Sequence, residues 1–148
     1  MEDTDPAQSD AVRAAKQRRI ELKQAMSEVE VAAAAPAPDA NWRNTLLDSL
    51  EELKSALEQH ADEVESTGGL LDEIVDVAPR LHPRVVQQRD EHAVLIDQTL
   101  AAMAAARATP DAADVRAEVM AALIAIARHR QHGSDLVFDA YTIDIGGS

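Results

Sequence analysis

Cysteine is absent from the 148-residue sequence, which excludes a disulfide framework, a thiolate metal site and a cysteine nucleophile. Aromatic residues are almost as scarce, with one Trp, one Tyr and one Phe, and only 5 glycines occur. Sheet proteins need aromatic and β-branched residues and frequent glycine turns, so this composition disfavours a β fold. No apolar run reaches the length of a membrane span, and the acidic N-terminus differs from a signal peptide. We therefore expect a cytoplasmic protein with no membrane contact.

Positive charge is also in short supply, because 14 basic residues stand against 27 acidic ones and the formal net charge is −13. Nucleic-acid binding needs clustered Lys and Arg, so we expect no nucleic-acid partner. The basic stretch at residues 13–23 is the exception. It could bind an acidic partner protein, or equally dock against the acidic residues 41–76 of the same chain. No nucleophile with its base and no phosphate-binding glycine loop is found, so we expect no enzyme activity and no catalytic residues.

Alanine, leucine, glutamate, arginine and glutamine dominate what remains, and these are strong helix formers. We predict an all-α fold, an antiparallel up-and-down four-helix bundle with a short extra helix between the second and third long helices. Pro36 and Pro38 interrupt the first helical stretch because they lack amide donors. The expected organisation is a disordered leader (1–10), a basic amphipathic helix (11–33), an Ala/Pro linker (34–40), the bundle core (41–140) and a flexible tail (141–148).

Residues spaced alternately by three and four mark the inward-facing stripe, or seam, of each long helix. We expect the N-terminal helix to close the bundle, either folded back in cis or supplied by another subunit. The predicted seams are Val12, Ala15, Ile20, Met26 and Val29 in the first helix; Leu46, Leu50, Leu53, Leu57, His60 and Val64 in the second; Val85, Arg89, His92, Ile96, Thr99 and Met103 in the third; and Val115, Val119, Ala122, Ile126, His129, Gly133, Leu136 and Ala140 in the last.

Three of the five histidines, His60, His92 and His129, fall on these seams. At a rise of about 1.5 Å per residue, their heights in an up-and-down bundle differ by about one and a half turns, so they could nearly share one layer. Imidazole with carboxylate is a ligand set for iron or zinc. Alternatively, each histidine is a partly buried residue with an ordinary hydrogen-bond acceptor. The candidate metal ligands are His60, His92, His129, Glu65, Glu91 and Asp135.

Three segments resemble the hemerythrin-like, cation-binding helical bundle family. LEQHADEVE (57–65) is similar to its histidine-then-acid helix, RDEHAVLIDQTL (89–100) to its EH-containing helix, and LIAIARHRQHGSDLVF (123–138) to its last histidine helix. The resemblance covers about residues 40–138. It implies histidines on successive helices, each with a carboxylate about one turn on, that hold a di-iron centre.

The chain departs from that family pattern at several positions. Gln88 stands four residues before His92, where the family would place a second histidine, and Glu65 and Asp135 come one position late. The remaining set fits a single metal ion or a bundle that has lost its metal. We therefore expect a non-catalytic regulatory or protein-interaction bundle without a cofactor, engaging a partner protein or a second copy of itself. The alternative is a degenerate hemerythrin-like sensor that binds iron or zinc through the inward-facing histidines.

Overall fold

A computed structural model of the chain describes residues 9–143 and contains no strand in that range. Four long helices and one short one form an antiparallel bundle, which confirms the predicted fold class. The helices are α1 (Asp10–Ala34), α2 (Trp42–Glu65), the short α3 (Leu70–Val77), α4 (His82–Ala108) and α5 (Ala112–Phe138); a 3-10 turn, Pro79–Leu81, joins α3 to α4, and a π-helical turn, Asp139–Ile143, follows α5.

Neighbouring helices run in opposite directions, as contacts between their ends show. Arg43 at the start of α2 donates to the carbonyl oxygen of Ala106 at the end of α4. Arg116 near the start of α5 donates to the carbonyl oxygen of Ala33 at the end of α1. The basic α1 therefore closes the bundle in cis, between α2 and α5. Arg18 supports this docking, because its guanidinium pairs with Glu63 of α2 at 3.8 Å.

Local sequence explains where several helices begin and end. Gly68 has a φ of +76°, a left-handed conformation that glycine adopts readily and that often ends a helix such as α2. Asp111 caps α5, since its carboxylate accepts a hydrogen bond from the backbone N–H of Ala113 at 2.9 Å. Ser9 caps α1 in the same way through Val12. These caps fix the connections that bring the seams together.

The bundle interior is divided into two apolar clusters. One lies near the start of α2, around Trp42, Leu50 and Ile126. The other lies near its end, around Ile74 and Leu136, and includes α3. Along its own helix, each seam histidine lies between a residue of the first cluster and a residue of the second. The flanking residues are Leu57 and Val64 for His60, Leu95 and Val85 for His92, and Ile126 and Leu136 for His129.

Several seam predictions in α1 and α4 are wrong by one or two positions. Ile20 is 48% exposed, and Leu22 takes the buried place instead. In α4, Arg89 and Ile96 are only half-buried, while Gln88 and Leu95 are buried. The seams of α2 and α5 are buried as predicted, apart from the half-buried Gly133.

The C-terminal end of the described chain packs against the bundle. Helical turns continue to Ile143, and Tyr141 is buried and donates a hydrogen bond to Glu73 of α3. The segment 141–148, predicted as a flexible tail, thus begins inside the packed region; its residues 144–148 lie outside the described residues, as does most of the predicted leader 1–10. None of the described helices is both long and apolar enough to cross a membrane.

Candidate metal centre

His60 of α2, His92 of α4 and His129 of α5 meet in one layer between the two apolar clusters. Their ring centroids are 4.8 Å apart for His92 and His129, 5.2 Å for His60 and His92, and 5.6 Å for His60 and His129. All three side chains are buried. The layer arises because each histidine occupies a seam position at the same height of an antiparallel helix.

Four ring nitrogens of this histidine layer lack hydrogen-bond partners among the described residues. Nε2 of His92, Nε2 of His129 and both nitrogens of His60 are buried without a partner. One ring nitrogen from each residue lies within 4.8 Å of the other two. Buried polar atoms are nearly always paired, so several unpaired nitrogens in one place require an explanation.

Two glutamates hold the histidine layer from outside. Oε2 of Glu65 lies 2.5 Å from Nδ1 of His92, and Oε1 of Glu91 lies 2.6 Å from Nδ1 of His129. A carboxylate on Nδ1 fixes the tautomer with the proton on that nitrogen and turns the Nε2 lone pair the other way. Both lone pairs are therefore available inside the layer.

The predicted role of Glu65 and Glu91 as metal ligands needs correction. Each carboxylate approaches the back of an imidazole on a neighbouring helix rather than the shared space between the rings. They hold the imidazoles of His92 and His129 in place. The cluster that could hold an ion comprises only the three histidines among the described residues.

Asp135, the sixth predicted ligand, lies away from the layer. Its side chain is exposed, and it accepts a hydrogen bond at 2.9 Å from Gln131 one turn earlier on the same helix. The reason is angular: Asp135 is six residues beyond His129, which places it on a different face of α5. Asp135 is therefore not a ligand in this arrangement.

Burial disfavours the charged forms of His60 and His129. It lowers the pKa of His60 to about 3, with help from the neighbouring His92, His129, Arg19 and Arg130. Burial also lowers the pKa of His129, although the hydrogen bond to Glu91 opposes that change. Neutral imidazole is the form that binds metal ions, so burial favours that form in His60 and His129.

The donor set fits a single ion of the zinc class. At a zinc–nitrogen distance of about 2.0–2.1 Å, two nitrogens of a tetrahedral site lie about 3.3–3.4 Å apart. The nitrogens here lie within 4.8 Å of one another, so the most distant pair would have to approach by up to about 1.5 Å on binding. Such a movement requires ring rotations and small helix shifts. Three protein ligands leave a fourth position open, as in catalytic and ligand-binding zinc sites.

A small cavity lies next to the histidine layer, between α1, α3 and α5. It has a volume of about 30 Å³, and its walls are mostly apolar. Its polar boundary consists of His60, His129, Gln88, Arg19 and Arg130, with Gly133 beside them. An added Cβ on Gly133 would meet Oε1 of Gln88 at 3.3 Å, so the side chain of Gln88 on α4 lies close to this glycine.

The sequence pattern missed two of these residues, Arg19 and Arg130. Arg19 belongs to the basic stretch that was interpreted as a docking surface, and Arg130 follows a seam histidine by one position. Only the path of α1 beside α5 places both guanidinium groups at one cavity. A basic residue directly beside a buried histidine is the one local signal that could have drawn attention to Arg130.

Comparisons with known proteins give no match, whether to a family model, to a curated protein sequence or to a solved structure. The candidate function must therefore be argued from the geometry of the histidine layer and its surroundings.

Proposed function

We propose that this protein is a non-catalytic metal-binding bundle that holds one zinc-class divalent ion on His60, His92 and His129. The observation that carries the proposal is the convergence of unpaired imidazole nitrogens, two of them on rings held from behind by carboxylates. Carboxylate–histidine–metal arrangements of this kind are the usual support of histidine ligands.

A purely structural role of the histidine layer does not explain the unpaired ring nitrogens. Histidines retained for packing would satisfy both ring nitrogens, because an unpaired buried donor or acceptor costs about 1–3 kcal/mol. Here His60 has no partner on either nitrogen among the described residues. A bound ion would satisfy one nitrogen on each of the three rings together.

A single ion fits better than the di-iron centre that the family resemblance implies. Bridged di-iron sites in helical bundles need several carboxylates in direct contact with the metal. The two nearby carboxylates, Glu65 and Glu91, are already engaged on Nδ1 atoms. Neutral imidazole donors without a carboxylate suit zinc, and they also suit copper, nickel and ferrous iron.

The open coordination position supports a ligand-sensing role rather than a purely structural one, because structural zinc sites are usually closed by four protein ligands. In this role, metal loading and the binding of a small ligand would change the bundle's packing at the histidine layer. The regulatory protein-interaction role expected from the acidic surface stays a prediction, and such a sensor is compatible with it.

Cobalt substitution tests the proposal directly. Co²⁺ in a tetrahedral nitrogen site gives visible absorption far stronger than hexaaqua Co²⁺, so titration of tag-free protein should show a strong band that saturates at one equivalent. His129→Ala should abolish the band. His82→Ala is the control, since His82 is exposed at the start of α4, and it should leave the titration unchanged. A featureless spectrum in the wild-type protein would reject the proposal.

A further inference from the structure

Two arginines line the cavity beside the histidine layer and have no carboxylate partner among the described residues. Arg19 of α1 and Arg130 of α5 both line it. Arg19 donates to Oγ of Ser134 at 2.5 Å, a neutral acceptor, and Nε of Arg130 is buried without a partner among the described residues. Neither arginine forms an ion pair within residues 9–143.

Ordinary electrostatics disfavours such an arrangement in a closed protein. Burial and, after it, the nearby positive charge of Arg130 lower the pKa of Arg19. Both effects disfavour the charged form of the Arg19 guanidinium. Partly buried charges of one sign are normally compensated by a counter-ion or a carboxylate. Two carboxylates of the surrounding helices pair with other residues: Glu91 with His129 and Glu63 with Arg18.

The size of the cavity limits what could compensate them. A single water needs about 10–15 Å³ of such space, and the cavity offers about 30 Å³. Its room therefore suits a ligand of about three heavy atoms. A guanidinium group recognises planar pairs of oxygen atoms with two parallel hydrogen bonds.

We propose that this cavity binds a small planar monoanion with two oxygen atoms, of the size of formate or nitrite, between Arg19 and Arg130. A divalent ion on the histidine layer would add positive charge beside the cavity and raise the affinity for the anion. That increase rests on the proposed metal-binding function. The contribution of the two arginines does not, because they line the cavity with or without a metal.

With this anion site, the bundle would respond both to a metal ion on the histidine layer and to an anion in the cavity. The anion would contact α1 through Arg19 and α5 through Arg130, so its binding would tighten the contact between these two helices. Arg19 already reaches across from α1 to Ser134 of α5. Anion binding would thus stabilise the docked position of the N-terminal helix.

Saturation-transfer NMR on the single proton of formate tests the inference with full-length protein, with and without zinc. We expect saturable formate binding in both states, at least several-fold tighter with zinc. Arg19→Gln and Arg130→Gln should each weaken binding about tenfold or more, because a charged hydrogen bond is lost. The matched controls are Arg18→Gln and Arg128→Gln, which should bind formate as tightly as the wild-type protein. Arg18 lies beside Arg19 on α1 and pairs with Glu21 and Glu63, and Arg128 lies near Arg130 on α5 and is exposed.

Different failures have different meanings. No formate binding to a protein that does bind zinc would overturn the inference and leave the metal proposal standing. Arginine-dependent formate binding in a protein that takes up no zinc would support the inference and reject the metal proposal. Formate binding that both arginine variants retain at wild-type affinity would also overturn the inference. Isobutyrate carries the same carboxylate on a larger body, and equal competition from it would overturn the proposed size limit.

Discussion

Nδ1 of His92 lies 2.5 Å from Oε2 of Glu65, although the two residues are 27 positions apart and on different helices. His129 and Glu91 repeat this relationship between α5 and α4 at 2.6 Å. Each glutamate orients the imidazole of its neighbouring helix, so α2, α4 and α5 are joined through the candidate metal centre. This repeated pairing is the basis of the first prediction.

Removing the charge of either supporting glutamate should weaken metal binding without abolishing it. Glu65→Gln and Glu91→Gln keep the size of the side chain but make the acceptor weaker, so the imidazole becomes less basic and less well oriented. Loss of such a support typically costs about 10–100-fold in metal affinity. Competition with a zinc chelator measures the change.

Glu63→Gln provides the control for that experiment, because Glu63 lies on the same helix and pairs with Arg18 instead. Its zinc affinity should equal that of the wild-type protein. Equal affinities in Glu65→Gln, Glu91→Gln and wild type would mean that the carboxylates do not support metal ligands.

Replacing His60 by an apolar residue should stabilise the metal-free protein. Both nitrogens of His60 are buried without a partner, and Leu of similar size removes that cost of about 1–3 kcal/mol. His60→Leu should therefore unfold at higher urea concentration than wild type in the presence of a chelator, while it loses zinc binding. A clear loss of stability would show that the His60 nitrogens are satisfied in the native protein.

Acid should destabilise the metal-free protein through the same residue. The pKa of His60 is lowered to about 3 in the folded state, against about 6.5 in an unfolded chain. The unfolded state therefore binds the proton first, and stability that is fully present above pH 6.5 is lost progressively as the pH falls toward 3.

At pH 5.5, this loss amounts to about 1.4 kcal/mol from His60 alone, and the lowered pKa of His129 acts in the same direction. Urea denaturation between pH 7.5 and 5.5, compared with His60→Leu, isolates the His60 contribution. Parallel pH profiles for the two proteins would contradict the assignment.

Docking of the N-terminal helix should be visible in a matched pair of substitutions. Leu22 is fully buried in α1, whereas Ile20, two residues earlier, is 48% exposed. Leu22→Ala should cost about 2–5 kcal/mol, as core truncations do, and Ile20→Ala about 1 kcal/mol or less. Equal and small effects in thermal or urea unfolding would mean that α1 is a free arm and does not close the bundle.

The sequence pattern was sufficient to predict the fold class and the inward-facing positions of the three histidines, because both follow from helical periodicity. In α2, leucine marks the inward face so regularly that His60 can be placed by counting. In α1, alanines on several faces leave it ambiguous which face points inward. The pattern therefore placed Ile20 on the inward face instead of Leu22. In α4, polar Gln88 takes a buried position that periodicity alone assigned to Arg89.

The surroundings of the histidines were harder to predict because they depend on contacts between helices. Glu65 was expected to bind a metal, yet its side chain extends to His92 on the adjacent helix. Arg19 and Arg130 are 111 positions apart in the sequence, and they share a cavity only because α1 packs beside α5. Spacing along one helix contains no information about such pairs.

Anomalous diffraction at the zinc edge, from crystals of tag-free protein grown with one equivalent of zinc, tests the central claim most directly. We expect one strong peak per chain in the space between His60, His92 and His129, bonded to one nitrogen of each ring. Glu65 should remain on Nδ1 of His92, and Glu91 on Nδ1 of His129. No peak in the histidine layer, or zinc found only on exposed carboxylates and His132, would contradict it.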